Sequence, residues 1–155
     1  MAEELHIAQG CKEDKYALLY KQVAAVTESE SDTIANMANV AAMIHATFGF
    51  WWTGFYRVVG EELVLGPFQG PLACSRIAYG RGVCGTAWQE ARTQVVPDVE
   101  QFPGHIACSS ASKSEIVVPL FKEGKVTAVL DIDSEQLATF DETDKLWLER
   151  IVEVL

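Results

Sequence analysis

The chain has 155 residues, 49% hydrophobic and 22% charged, which is enough for one domain with a real core and too apolar for a long disordered arm. Its net charge of −10, from 22 acidic against 12 basic residues, repels a polyphosphate backbone with no basic stripe to offset it, so nucleic acid is excluded as a partner class. No apolar run approaches the roughly 20 residues of a membrane span, and Met1 to His6 lack the basic-then-apolar order of a secretory leader, so no membrane is involved and a cytoplasmic location is expected.

In chain order, Tyr16, Leu19, Tyr20, Val23 and Val26 recur at helical spacing and predict an amphipathic helix over residues 12–28. The polar break Thr27 to Asp32 supplies capping residues for a second helix. That helix buries Ile34, Met37, Ala41, Ile44 and Phe48 and ends at Gly49. His45 flanks its apolar face and reads as a core-edge residue without a role.

Residues 50–59 are rich in aromatic and β-branched side chains and predict a strand. With a period of two, Phe50, Trp52, Gly54 and Tyr56 share one face, and Trp51, Thr53 and Phe55 the other. One face is core and the other can line a cavity. Gly60-Glu61 turns the chain into a meander partner, Glu62 to Leu65. From Gly66 to Lys113 the pattern is irregular, with one short helix after the Gly-rich turn in GRGVCGTAW, over residues 83–91. That turn presents backbone N–H groups where an anion or a ligand carboxylate can sit, although it matches no phosphate-loop pattern. A loop region this long in a small domain is usually functional.

Residues 114–121 and 125–134 predict a hairpin. A three-residue loop, Lys122-Glu123-Gly124 with Gly124 left-handed, spares Glu123 a positive φ and places Glu115 opposite Asp131. One face is then Ile116, Val118, Leu120, Val126, Ala128, Leu130 and Ile132, wholly apolar. Asp141 caps a last helix whose Leu148, Ile151, Val152 and Leu155 carry it to the final residue. Helices, then largely antiparallel strands, then a helix read as α+β, with the sheet covered on one face by helices.

Two groups can carry chemistry. Asp131 and Asp133, at i and i+2, point the same way, and Glu115 joins them across the ladder. Three close carboxylates are costly unless water, a cation, a ligand ammonium or a shared proton relieves them. A solvated strand end is the plainer reading. The second group is three cysteines, Cys74, Cys84 and Cys108, in Gly-, Ser- and Pro-rich sequence. A reactive thiol needs a stabilised thiolate and access, both easier on a polar loop than in a core. His105 can stabilise a thiolate at Cys108, though a loop histidine is more often just solvated. Zinc on the three cysteines and His105 is a rival, without the C-x₂-C spacing of common structural sites. Cys11 receives no role.

The runs GVCGTAW (82–88), VPDV (96–99), PGHIAC (103–108), SEIVVPL (114–120) and LDIDS (130–134) resemble a GAF domain, and more narrowly the free methionine-(R)-sulfoxide reductases. The likeness covers nearly the whole chain, as a single domain over residues 1–155. It implies an antiparallel sheet with helices mainly on one face and ligand-pocket loops on the other. It also implies thiol-dependent reduction of free methionine-(R)-sulfoxide with no bound cofactor, thioredoxin as external reductant, and a homodimer left open. In the family's roles Cys108 is the nucleophile, Cys74 the usual resolving thiol and Cys84 a third thiol of variable part. Glu115, Asp131 and Asp133 hold the substrate amine and polarise the sulfoxide, while Trp52 and Tyr56 wall the methylsulfinyl end. Two other readings stand beside this one: a ligand-binding or redox-sensing GAF module without turnover, and a zinc-binding interaction domain.

Overall fold

The computed structural model describes residues 4–105 and 110–155. Lys12–Thr27 forms α1 and Thr33–Phe48 forms α2. The stripe Tyr16, Leu19 and Val23 is fully buried, as the periodicity predicts. Asp32 caps α2 by accepting from the Ala35 N–H, and Gly49 ends it in the left-handed conformation, its N–H bonded to the His45 carbonyl. Met37, Ala41 and Ile44 are core, but Ile34, in the first turn of α2, is 45% exposed.

The strands are β1 (Trp52–Val59), β2 (Glu62–Gln69), β3 (Arg76–Ala78), β4 (Gln94–Val96), β5 (Ser114–Lys122) and β6 (Lys125–Ser134). They form one sheet in the order β3-β2-β1-β6-β5-β4, every neighbouring pair antiparallel. A helix α3 (Gly82–Glu90) and a 3₁₀ turn (Val99–Gln101) lie between β3 and β5 in sequence, and α4 (Glu142–Val152) closes the fold. The helices α1, α2 and α4 bury Tyr16, Val40, Ile44, Leu148 and Ile151 against Phe55, Ile116, Leu130 and Ile132 on one face of the sheet. On the other face, α3 and the surrounding loops pack Val83, Cys84 and Ala87 against Trp52, Tyr56, Val117 and Val129. The expected α+β arrangement, helices mainly on one side and pocket loops on the other, is the one observed.

Four expectations are corrected. First, β1 starts at Trp52, so strand alternation does not reach back to residues 50 and 51. Phe50 packs with the core of Phe55, and Trp51 with Trp52. Second, the stretch 66–113 is less irregular than its Gly and Pro content implies. β2 runs on to Gln69, because three β2 steps (Phe68 to Leu65) are absorbed against two on β1 (Gly54 to Tyr56). That bulge falls at Gly66-Pro67, where a proline costs no ladder bond, and β3 and β4 add short edges.

Third, the hairpin turns in two residues, pairing Lys122 with Lys125. Glu123 and Gly124 are both left-handed, at φ 53° and 78°, as a turn matched to strand twist requires. A bulge then skips Thr127, with Phe121 opposite Val126 and Leu120 opposite Ala128. Glu115 therefore faces Asp133, and Asp131 faces Val117. Turn and bulge each move the register by one residue, and a net shift of two leaves the faces unchanged. Val126, between turn and bulge, is the exception and packs on the Val129 side. Fourth, α4 ends at Val152. Its start is as expected: Asp141 accepts from Thr143 and Asp144, and Asp144 returns the bond in a capping box.

Candidate active site

The site is built on the central strands. Trp52 and Tyr56 sit on the same face of β1, two strand periods apart, with Gly54 between them. A side chain at Gly54 would collide with the Trp52 ring and with Phe68, so glycine is what lets the indole lie flat along the strand. Trp52 stacks on Phe68 (centroids 5.2 Å apart, 16° between planes) and on Tyr56 (5.9 Å, 25°). This wall also holds a loop: Trp52 Nε1 donates to the Pro71 carbonyl at 3.0 Å, and the Tyr56 hydroxyl to the Cys74 carbonyl at 2.9 Å.

Beside the wall lie the three carboxylates, brought together from β5 and β6. Glu115 is directly across from Asp133 and diagonal to Asp131. Glu115 and Asp131 are each only 6% exposed, and Glu115 Oε2 and Asp131 Oδ1 have no conventional hydrogen-bond donor. Asp133 accepts from Ser112 Oγ at 3.0 Å. Burial, and then the charges of Asp131 and Asp133, push the Glu115 carboxyl well above the usual range. Burial and Asp133 do the same to Asp131, and burial lifts Asp133 to about 7. Their mutual hydrogen bonds raise Glu115 and lower both aspartates, against the larger upward push of burial on all three.

Cys84 reaches this cluster from the first turn of α3. Gly85 lets the helix press against the turn before it, since a Cβ there would lie 2.7 Å from the Ala78 carbonyl. The Cys84 thiol is 4% exposed and bonds to Asp131. Burial, then Asp131, Glu115 and Asp133, hold its pKa well above the ordinary value. It is a free thiol, as is the exposed Cys11, whereas Cys74 is disulfide-bonded. Cys108, the expected nucleophile, lies outside the described residues. His105 and Ser112, on either side of it in sequence, both line the pocket.

The pocket, a cavity of about 50 Å³, lies between the aromatic wall, the carboxylates, the Pro71 to Ala73 loop and the N-terminus of α3 at Arg81 and Gly82. Trp52, Tyr56, Cys84, Glu115, Asp131 and Asp133 all line it, with His105, whose basicity burial lowers. The Gly-rich turn opens onto it as the sequence suggests. The zinc reading on three cysteines and His105 includes Cys108 and so lies partly outside the described residues, among which the group that could hold a metal is Cys84 with Glu115 and Asp131. Three contributors escape a sequence reading. Phe68 sits in a segment read as irregular, Ser112 in a loop whose serines look alike, and Arg81 is masked by its glycine neighbours. Only Arg81 carries a signal, as the one cation beside a turn facing an acidic pocket.

Comparison with known proteins agrees with this geometry. The GAF domain family profile matches residues 27–155. The chain is 56% identical to GAF domain-containing protein A of Dictyostelium discoideum, over the whole of this chain and 99% of that one. It is 43% identical to the free methionine-R-sulfoxide reductase of Escherichia coli, over 91% of this chain and 86% of that one. The crystal structure of the free methionine-R-sulfoxide reductase of Neisseria meningitidis, solved in complex with its substrate, superposes with a TM-score of 0.96 at 52% identity, covering 97% of this chain and 92% of that one. With its antiparallel sheet, one-sided helices and acidic aromatic pocket, this chain belongs to the GAF domain family and, within it, to the free methionine-R-sulfoxide reductases.

Proposed function

We propose that the chain reduces free methionine-(R)-sulfoxide to methionine, using Cys108 as nucleophile and Cys74 as the thiol that regenerates it. The observation that carries the reading is the cluster of Glu115, Asp131 and Asp133, buried beside the Trp52–Tyr56 wall in a pocket bordered by the Cys74 loop. A sulfoxide sulfur is a poor electrophile until its oxygen is protonated, so thiolate attack needs a neighbouring acid. Glu115, whose carboxyl burial and the charges of Asp131 and Asp133 push well above the usual range, is the group assigned to that role. The aspartates take the substrate ammonium, the apolar wall takes the methyl group, and Arg81 with the α3 N-terminus faces the substrate carboxylate. A residue inside a polypeptide has neither a free ammonium nor a free carboxylate, which restricts the site to the free amino acid.

The step balances. The Cys108 thiolate attacks the sulfoxide sulfur, Glu115 delivers a proton to the oxygen, and that oxygen ends on Cys108 as a sulfenic acid while methionine leaves as a thioether. Cys74 then condenses with the sulfenic acid, a water departs, and a disulfide remains. Thioredoxin returns both thiols by exchange, so no bound cofactor is needed, and such a cycle suits a reducing cytoplasm. The disulfide-bonded state of Cys74 beside the free thiol of Cys84 supports this division of labour. Relatives carrying the activity in their names, one of them solved with its substrate, support the substrate. Turnover assays with the separate R and S sulfoxides, using dithiothreitol or thioredoxin, test the reading. R-selective turnover of the free amino acid is expected, and equal rates or none with either reductant reject it.

A further inference from the structure

We propose that Cys84, Glu115 and Asp131 form a binding site for one thiophilic divalent cation of the Zn²⁺ class. One ligand atom from each residue, a sulfur and two carboxylate oxygens, lies within 4.8 Å of the others, and all three residues are buried. A four-coordinate zinc with bonds of about 2.0–2.3 Å sets ligand atoms about 3.4–3.6 Å apart. The three groups therefore need a closure of no more than about 1.4 Å, within the reach of side-chain rotation. Independently of that proximity, Glu115 Oε2 and Asp131 Oδ1 are buried, without a conventional donor and on the pocket wall. Three protein ligands with a fourth position open to a cavity is the geometry of an accessible zinc site, not of a closed structural one. The mixed sulfur and oxygen donors favour zinc over calcium or magnesium, which take oxygen ligands.

Charge points the same way. The neighbours that disfavour a thiolate at Cys84 are anionic, and a dication reverses that balance. Binding releases the thiol proton and carboxyl protons to solvent, so affinity falls as pH falls. If the site also works as proposed above, the bound cation removes the acid and part of the ammonium subsite, and a metal-loaded chain is inactive until a chelator frees it. Metal binding itself does not depend on that reading.

The test is a titration of the reduced, metal-free full chain with Co²⁺ as a spectroscopic probe, and with Zn²⁺ by calorimetry. The expected result is one Co²⁺ per chain with a sulfur-to-metal charge-transfer band and the intense visible bands of a four-coordinate ion. That band should disappear in Cys84→Ser and persist in Cys11→Ser and in the double variant Cys74→Ser/Cys108→Ser. If Cys84→Ser does not fold, Glu115→Gln should weaken Zn²⁺ binding at least about tenfold. No charge-transfer band in the wild type, a band that survives Cys84→Ser, or a band lost with Cys74 and Cys108 would each overturn the assignment.

Discussion

The Tyr56 hydroxyl donates a 2.9 Å hydrogen bond to the carbonyl of Cys74, so the side chain that walls the pocket also fixes the backbone of the thiol proposed to regenerate Cys108. The aromatic wall and the Cys74 loop are thus tied together by this bond. Tyr56→Phe keeps the ring and loses the bond, about 1 kcal/mol of net stabilisation. We expect the first oxidation of Cys108 to proceed as in the wild type, while closure of the disulfide slows roughly fivefold, the rate equivalent of that energy. Rapid-quench thiol counting after one equivalent of substrate separates the two steps.

The carboxyl cluster makes both activity and stability depend on pH. Its members have folded pKa values above their unfolded ones of about 4. Their favourable contribution is complete below pH ~4 and is lost as pH rises through the folded values, about 7 for Asp133. Thermal unfolding should therefore show Glu115→Gln gaining on the wild type between pH 5 and pH 8. The same variant should lose roughly 100-fold or more in kcat/KM, the usual worth of a positioned acid. A variant that keeps wild-type turnover removes Glu115 from the role of proton donor.

Asp144 separates stability from function. It is fully buried on the helical face, with Lys12 Nζ and the Tyr16 hydroxyl each donating to it at 2.6 Å, and it accepts from the Asp141 N–H at 2.8 Å. These bonds fasten α1 to the start of α4. Asp144→Asn should cost about 2–3 kcal/mol in urea unfolding, less than a fully buried pair because Lys12 is partly solvated. KM should be unchanged, since the whole sheet lies between Asp144 and the pocket.

The parts of this architecture legible in the sequence are those where one local rule acts alone. The stripe of α1, the Asp32 and Asp141 caps, the Gly49 stop and the two faces of the hairpin all follow from periodicity and capping. The register does not, because it rests on two small choices that compete with propensity. Glu123 accepts a left-handed conformation to gain a turn matched to strand twist, and Thr127 is bulged out of the ladder. Since the net shift is even, the carboxyls still meet, with Glu115 facing Asp133 instead of Asp131. Strand β2 was obscured by Gly66-Pro67, which reads as a break unless a bulge accommodates it. The site's residue types were legible through family resemblance, but the upward shift of the three acids needed their burial and pairing. Ser112 and Phe68 join the site through tertiary contacts that no local pattern encodes.

The account turns on which sulfurs change when substrate is turned over once. Reduced protein, given one equivalent of free methionine-(R)-sulfoxide without reductant, should be digested under acid quench and its disulfides mapped by mass spectrometry. The expected product is a Cys74–Cys108 disulfide with Cys84 still a free thiol, and Cys74→Ser should instead accumulate a sulfenic acid at Cys108. All four thiols recovered reduced, or oxidation confined to Cys84 or Cys11, would contradict the account.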